Sequence, residues 1–218
     1  MTDFAAIRHN MVESQIRTNK VTDARVLAAL EAVPRELFVP KRLQGVAYVD
    51  EDLAIAPGRY LMEPMVLARL LQAAEIESDD VVLDIGCATG YAAAVLARLA
   101  ATVVAVESDP TLAEDATARL AELDVDNVAV VEGPLEQGYA TQGPYDAIVL
   151  EGGVDAVPET ITGQLAEGGR LVAVVTGGSR VGKATLMLRV HGALSRRVLF
   201  DAATPLLPGF RIEPGFVF

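Results

Sequence analysis

The stretch Val81-Val-Leu-Asp-Ile-Gly-Cys-Ala-Thr-Gly90 decides the fold. It is an apolar run that reaches a carboxylate, Asp84, and then enters a turn containing Gly86 and Gly90. A strand this continuously apolar is covered on both faces, as in a parallel sheet. Glycine lets the backbone turn tightly and approach a ligand closely. The stretch therefore predicts a strand, Val81–Ile85, that leads through a ligand-binding turn into a helix.

A second acid follows at a spacing typical of nucleoside sites. The apolar residues 102–106 lead to Glu107, which stands 23 positions after Asp84 (107 − 84). An acid at the end of the second strand, about 20 residues beyond the glycine turn, is placed to bind the two hydroxyls of a ribose. The pattern predicts a nucleoside held by Asp84, Gly86, Gly90 and Glu107.

The turn favours a cationic nucleoside. Turns that bind dinucleotides use three glycines to fit a pyrophosphate against a helix, whereas here Asp84 precedes the first glycine and would repel a pyrophosphate. S-adenosylmethionine carries a sulfonium and an amino group beside its adenosine, so a carboxylate suits it. An ordinary strand, turn and helix without a ligand is the alternative for this loop taken alone.

Composition narrows the class of protein. The chain has 218 residues, of which 51% are hydrophobic, and a net charge of −12, which fits one well-buried α/β domain and disfavours binding to nucleic acid. No apolar run reaches the roughly 18 residues of a membrane span, and residues 1–25 lack the apolar core of a signal peptide. The single cysteine, Cys87, cannot form an intramolecular disulfide, which favours a cytoplasmic location. His9 and His191 stand apart without a Cys/His cluster, so we expect no metal site.

Hydrophobic periodicity predicts alternating strands and helices after residue 63. We expect a helix over Pro64–Ala74, opened by Pro64. The further predicted helices cover 91–99, 110–123 and 158–165, and the predicted strands cover 102–106, 128–131, 147–150 and 170–175. Repeated β-α units form a parallel sheet, and a hairpin of residues 184–190 and 194–200 closes it. Before this core we expect N-terminal helices, one of them capped by Thr22 or Asp23, and an ordered loop region over 34–63.

Several segments resemble one family. They are Met11-Val-Glu-Ser-Gln-Ile-Arg17, residues 25–40, Pro144-Tyr-Asp-Ala-Ile-Val149 and Gly168-Gly-Arg-Leu-Val172. In this order they resemble protein-L-isoaspartate O-methyltransferases over about residues 11 to 175, and the N-terminal segments are specific to that family rather than to methyltransferases at large.

The resemblance implies a fold, a cofactor and a reaction. The fold is α/β, a Rossmann-like class I methyltransferase with a seven-stranded, mostly parallel sheet, an antiparallel last strand and an N-terminal helical extension. The cofactor is S-adenosyl-L-methionine, and the partner is a damaged protein or peptide whose L-isoaspartyl carboxylate is esterified for repair. We divide this single predicted domain into N-terminal helices and substrate loop (1–63), nucleoside-binding core (64–200) and C-terminal tail (201–218).

The chain departs from the family at the predicted substrate loop. Where the family has threonine, isoleucine and serine, with the serine at the substrate carboxylate, this chain has Tyr60-Leu61-Met62. Met62 has no hydroxyl, and a thioether donates no hydrogen bond. Arg59 or Tyr60 would then have to contact the acceptor carboxylate. Apolar packing of residues 60–62 against the core is the alternative.

Two departures lie on the cofactor side. Gly133-Pro134-Leu135 replaces a glycine-aspartate-glycine segment whose acid faces the adenine amino group. We place Pro134 and Leu135 beside the adenine, with Glu132 or Glu136 as a substitute acceptor, or with Leu135 simply packed on the adenine face. Ala88 stands where the family's turn usually has glycine, and an added methyl group is tolerated there if the backbone φ is negative.

Other residues allow both a functional and a structural interpretation. Glu151-Gly152-Gly153 replaces threonine-alanine-alanine at the tip of a strand, so Glu151 is a substrate contact or, more commonly in such positions, a solvated rim charge. Cys87, in the cofactor turn, is either a nucleophile at a helix N-terminus or a small apolar residue, and the latter is favoured. Asp146 and Asp155 are expected to serve strand-end and turn geometry.

Three functions fit the sequence. The first is carboxyl methylation of isoaspartyl proteins, the second is methylation of a different acceptor, and the third is a non-catalytic nucleoside-binding protein. The fold alone does not decide among them. The sequence does not predict the oligomeric state. For the tail, residues 204 to 218, two arrangements are open: it folds over the active site or against a second subunit.

Overall fold

A computed structural model describes residues 2–212 of the chain. Its strands are β1 (Leu53–Ala56), β2 (Arg59–Leu61), β3 (Val81–Ile85), β4 (Thr102–Glu107), β5 (Val128–Glu132), β6 (Tyr145–Val154), β7 (Leu165–Val175), β8 (Gly182–Val190) and β9 (Ala193–Ala202). Its α-helices are α1 (Phe4–Met11), α2 (Ala24–Ala32), α3 (Pro64–Ala74), α4 (Tyr91–Leu96), α5 (Pro110–Glu122) and α6 (Glu159–Thr162).

Seven strands form the central sheet in the order β5-β4-β3-β6-β7-β8-β9. Neighbours from β5 to β7 are parallel, β8 is antiparallel to β7, and β9 is antiparallel to β8. The predicted fold class, a mostly parallel sheet closed by an antiparallel last strand, is confirmed. Because β3 lies between β4 and β6, the carboxyl ends of these three strands meet at one edge, where open α/β sheets bind ligands.

The N-terminal extension is helical, as predicted. After α1 the chain continues through a π-helical turn, Val12–Ile16, and a 3₁₀ turn, Arg17–Asn19. The Asp23 side chain accepts hydrogen bonds from the backbone N–H groups of Arg25 and Val26, and so caps α2. No helix of the described residues, 2–212, is long and apolar enough to cross a membrane.

The prediction of an irregular loop over 34–63 is wrong in part. This region contains two 3₁₀ helices, Arg35–Phe38 and Lys41–Val46, and the antiparallel hairpin of β1 and β2. Pro57 and Gly58 (φ +68°) connect its strands, and proline followed by a glycine with positive φ suits a tight turn. The proline and glycine residues therefore separate short elements rather than excluding them.

Several element boundaries differ from the prediction. α6 spans four residues, Glu159–Thr162, and β7 begins at Leu165 rather than at 170. β6 extends to Val154 rather than ending at 150, because beyond an irregular stretch Gly153 and Val154 pair again with β7. The tail also pairs there: the Gly153 N–H donates to the carbonyl of Pro205 (2.7 Å) and the Leu207 N–H donates to the carbonyl of Gly153 (2.8 Å).

The described part of the tail folds over the carboxyl end of β6. The Asp155 side chain accepts hydrogen bonds from the Ile212 N–H at 2.8 Å, from the Gly178 N–H and from the Thr176 hydroxyl. Asp155 thus serves the turn, as predicted, and also anchors the tail. The remainder of the predicted tail, residues 213–218, lies outside the described residues.

Candidate cofactor and acceptor site

The glycine turn after β3 has the conformation that its sequence predicts. Gly86 and Gly90 have φ angles of +84° and +91°, which glycine adopts without strain. The Gly86 N–H donates to the carbonyl of Val106 at 2.9 Å, so the turn is tied to the end of β4. The carboxyl ends of β3 and β4 are therefore held together around the turn.

Ala88 has a φ of +51°, so the condition of a negative φ at this position is not met. Its backbone N–H donates a 2.8 Å hydrogen bond to Oε2 of Glu107. A left-handed conformation costs a residue with a Cβ about 1–2 kcal/mol, and a hydrogen bond to a charged acceptor contributes about 1.5–3 kcal/mol. The bond to Glu107 accounts for the left-handed turn at a residue other than glycine.

Glu107 lies at the predicted place but is already paired. Its carboxylate is fully buried and accepts hydrogen bonds from the backbone N–H groups of Ser108 (2.8 Å) and Asp109 (3.0 Å). Nη2 of Arg59 forms an ion pair with Oε2 of Glu107 at 2.5 Å and donates to the carbonyl of Gly86 at 3.0 Å. Glu107, the predicted ribose-binding acid, is therefore paired with Arg59, which is predicted to contact the methyl acceptor.

Asp84 and Glu151 form a buried pair of acids. Asp84 is fully buried and Glu151 is 4% exposed, so Glu151 is not a solvated rim charge. Among the described residues, no donor bonds to either oxygen of Asp84 or to Oε1 of Glu151. Burial raises the pKa of Asp84 to about 7, and burial together with the Asp84 charge raises the pKa of Glu151 well above its ordinary value. The two carboxyls face each other closely enough to hydrogen-bond, and they do not both ionise because they are adjacent and buried.

A small cavity joins the substrate loop, β6 and the tail. Its volume is about 10 Å³, and it is lined by Asp52, Gly58, Arg59, Tyr60, Met62, Glu151 and residues 204–207. Such a volume holds about one water molecule. Leu207 closes the cavity: a Cβ on Gly86 would lie 2.8 Å, and one on Gly152 2.6 Å, from Leu207 side-chain carbons. The two glycines admit this side chain.

The predicted substrate-loop residues divide between the cavity and the core. Met62 is 2% exposed, and its carbonyl accepts a hydrogen bond from the buried Arg35. Tyr60 is half-buried on β2 and lines the cavity beside Arg59. Buried Arg35 also donates to the carbonyl of Ala47, so it fixes the loop against the 3₁₀ helix before it.

Two predicted cofactor residues pack into the core. The Cys87 side chain packs against Ala93, Ala105 and Ala116, and burial raises the pKa of its thiol. The alternative of a nucleophilic Cys87 is therefore wrong, because the thiolate is the reactive form. Leu135, 1% exposed, belongs to the apolar core under the sheet.

The remaining residues on the predicted adenine side are more exposed. Pro134 is exposed and precedes a 3₁₀ turn, Leu135–Gln137. Glu132 is exposed, and the carboxylate of Glu136 stands beside Gly209 of the tail. The structure thus brings Glu136, rather than Glu132, to the side of the site that the tail covers.

Sequence reasoning missed the contribution of Asp52. Its side chain accepts a hydrogen bond from the Glu63 N–H at 2.9 Å and lines the cavity, and burial raises its pKa to about 6. The surrounding run of acids, Asp50-Glu51-Asp52, carries no pattern that separates a buried acid from solvated ones. Within residues 2–212, no group of three or more His, Cys, Asp and Glu side chains could hold a metal ion.

Comparison with known proteins decides the family. The model of the family described as "Protein-L-isoaspartate(D-aspartate) O-methyltransferase (PCMT)" matches residues 6–194. The chain belongs to this family. A protein-L-isoaspartate O-methyltransferase of Methanoculleus marisnigri is 47% identical over 168 residues, which are 77% of this chain and 76% of that protein. One from Koribacter versatilis is 38% identical over 201 residues, 92% of this chain and 90% of that protein.

Solved structures agree with the fold. A structure titled protein-L-isoaspartate O-methyltransferase matches with a TM-score of 0.81 and 28% identity, over 93% of this chain and 66% of the other. A putative protein-L-isoaspartate O-methyltransferase of Plasmodium falciparum, in complex with S-adenosyl-L-homocysteine, matches with a TM-score of 0.77 and 17% identity, over 94% of this chain and 97% of the other. The second likeness is evidence of the fold alone.

Proposed function

We propose that this chain is an S-adenosylmethionine-dependent methyltransferase that esterifies L-isoaspartyl carboxylates in damaged proteins. Membership of the family supports the reaction. The observation in the site that carries the proposal is the Asp84 carboxyl. It is buried next to a glycine turn, at the edge where β3, β4 and β6 end, and no N–H or hydroxyl group of residues 2–212 donates to it. A buried acid without a donor is costly unless a ligand completes it.

The residues present fit the cofactor chemically. The Asp84 carboxyl would pair with the cationic part of the cofactor. The turn residues Gly86, Cys87 and Gly90 would let the cofactor approach the backbone closely. Glu107 would accept hydrogen bonds from the ribose hydroxyls. We place Pro134 and Leu135 on the adenine side. When bound, S-adenosylmethionine supplies an activated methyl group.

Arg59 links the two halves of the proposed site. Its guanidinium holds Oε2 of Glu107, so it must release this oxygen before Glu107 accepts ribose hydroxyls with both oxygens. A released guanidinium can bind a carboxylate through two parallel hydrogen bonds. We propose that Arg59, together with Tyr60 and the apolar Met62, then positions the acceptor carboxylate.

The proposed reaction needs no general base. An isoaspartyl carboxyl is ionised at neutral pH and is itself the nucleophile. The work of the protein is alignment of the reacting groups and exclusion of water. We propose that the substrate loop and the tail, which line the cavity from two sides, provide the second of these.

Two other functions have support from specific observations. A different methyl acceptor is favoured by Met62, which lines the cavity and cannot donate a hydrogen bond to a carboxylate. A non-catalytic protein is favoured by the Arg59–Glu107 ion pair, which occupies the predicted ribose acceptor. We rank both below isoaspartyl methylation, because the family match covers most of the chain.

The partner, the cellular location and the domain organisation are also proposals. We propose a protein or peptide bearing an isoaspartyl residue as the partner and the cytoplasm as the location. We further propose that residues 1–218 act as one domain, which is supported by the tail that pairs with β6.

Methyl transfer to a defined peptide tests the proposed function. The protein is incubated with labelled S-adenosylmethionine and an isoaspartyl peptide, beside the same peptide with a normal aspartyl residue. We expect label in the isoaspartyl peptide only. Binding of the cofactor with no label in either peptide would favour another acceptor, and failure to bind the cofactor would favour the non-catalytic alternative.

A further inference from the structure

We propose that Glu151, aided by the Thr204 hydroxyl, contacts the acceptor carboxylate beside Arg59 and donates a hydrogen bond to it. This inference rests on the proposed function and names the group that recognises its substrate. Glu151 and Thr204 line the same small cavity as Met62 and Tyr60. This cavity lies between the substrate loop and the tail.

Both side chains are buried, and apart from the contact of Glu151 with the Asp84 carboxyl they lack hydrogen-bond partners among the described residues. Glu151 is 4% exposed and Thr204 is 8% exposed, and neither Oε1 of Glu151 nor Oγ1 of Thr204 has a hydrogen-bond partner among residues 2–212. A buried polar group without a hydrogen-bond partner destabilises the fold, and is retained where a ligand completes it. Two such groups in one cavity indicate a polar ligand there.

The backbone of β6 directs Glu151 into the cavity. The pairing of β6 with β7 loses its register between Val149 and Gly153, and Glu151 lies inside this irregular stretch. Such irregularities re-aim side chains beside functional sites. Gly152 and Gly153 then let the tail approach, since a Cβ on either would lie 2.6 Å from a tail atom.

The surroundings of Glu151 keep it protonated. Asp84 on β3 and Glu107 on β4 act on it with negative charge, and Asp52 before β1 lines the same cavity. Cys87 lies within range but is uncharged, and Arg59 on β2, the cation that acts on Glu151 among the described residues, is paired with Glu107. Without ligand the Glu151 proton lies toward Asp84; a cofactor cation that pairs with Asp84 leaves this proton for the acceptor. A protonated carboxyl donates one hydrogen bond, which a carboxylate ligand requires and which Met62 cannot supply.

The direction of the pH dependence follows from this assignment. The acceptor carboxylate stays ionised above about pH 4. Glu151, whose pKa is raised, stays protonated at neutral pH and loses its proton as the pH rises further. Binding of the acceptor should therefore weaken on the alkaline side. An acceptor that is an amine would show the opposite trend, because an ionised Glu151 would attract it.

The test measures binding of the isoaspartyl peptide at equilibrium, with saturating S-adenosylhomocysteine, from pH 6 to 9. We expect Glu151→Ala to weaken binding about 10- to 150-fold. Glu151→Gln, whose amide also donates, should bind at pH 7 like the wild type and lose the alkaline weakening. Thr204→Val should weaken binding about 2- to 10-fold. Glu122→Ala, an exposed glutamate at the end of α5, is the matched control and should change nothing.

A second variant separates this role from a structural one. Met62→Ser places a hydroxyl in the same cavity, so it should restore peptide binding to Glu151→Ala while adding little to the wild type. Unchanged binding in Glu151→Ala, equal losses in Glu151→Ala and Glu151→Gln, or wild-type binding that strengthens with pH would each overturn the assignment. Absence of peptide binding in the wild type would overturn it too. Binding without methyl transfer would leave Glu151 assigned and would refute the proposed function.

Discussion

The Arg59–Glu107 ion pair is the residue-scale feature that most changes the interpretation of the sequence. Each residue was predicted to contact a ligand, and the structure joins them at 2.5 Å with side chains that are 4% and 0% exposed. No local pattern predicts this, because the two residues are 48 positions apart and meet only when the β1–β2 hairpin packs over the end of β4. The glycine turn and Glu107, in contrast, were predictable because spacing along a β-α-β unit fixes where they stand.

We predict strong coupling within this pair. Arg59→Met and Glu107→Gln should each lower the free energy of unfolding by about 3–5 kcal/mol, because each leaves a buried charge without its partner. The double variant should cost much less than the sum of the two. Urea unfolding of the four proteins gives the coupling energy.

A matched control is available on the surface. Lys183 and Asp201 form an ion pair whose side chains are 50% and 63% exposed, and its coupling energy should be below about 1 kcal/mol. Additive effects of Arg59→Met and Glu107→Gln would contradict the buried pair.

Asp84 gives a pH-dependent prediction. Its pKa is about 7 in the folded protein against an ordinary value of 3.8, so the proton is bound more tightly in the folded state. Its contribution to stability is therefore complete below about pH 4 and is lost as the pH rises through about 7. We expect Asp84→Asn to raise the melting temperature at pH 8 by more than about 2 °C and by much less at pH 5, measured by thermal unfolding without ligand. An equal shift at both values would contradict a raised pKa.

At the scale of elements, the sequence predicted the regular β-α units better than the contacts between distant segments. α3 matches its predicted bounds, Pro64–Ala74, because its apolar positions and opening proline are local signals. The extension of β6 and the β1–β2 hairpin escaped prediction because they depend on partners. The end of β6 pairs with β7 after an irregular stretch and with the tail, more than 50 residues later in the chain. The hairpin strands are too short to show an alternating pattern.

A substitution that adds one methyl group tests the contact between β6 and the tail. Gly152→Ala would place a Cβ 2.6 Å from Cγ of Leu207 and 3.3 Å from the carbonyl oxygen of Pro205. We expect a loss of about 1–3 kcal/mol in the free energy of unfolding and faster proteolysis after residue 200. Gly45→Ala is the control, since its Cβ would meet nothing within 4 Å. Equal stability of the two variants would show that the tail does not pack on β6.

At the scale of the whole molecule, the fold provides the site and the tail closes it. β3, β4 and β6 bring Asp84, Glu107 and Glu151 to one edge of the sheet, while the hairpin contributes Arg59 and the tail contributes Leu207. The sequence indicated the edge and most of its acids. It could not indicate that a cavity of about 10 Å³ remains, because closure is a property of packing between segments far apart in the chain.

The central claim is that this closed edge of the sheet binds the cofactor of its family. Calorimetric titration with S-adenosylhomocysteine tests it most directly, with Glu107→Gln as the comparison. The account predicts saturable binding of one molecule per chain in the wild type, with micromolar or tighter affinity, and at least about tenfold weaker binding in Glu107→Gln, which loses charged hydrogen bonds to the ribose. Absence of binding in the wild type, or an affinity unchanged by Glu107→Gln, would contradict it.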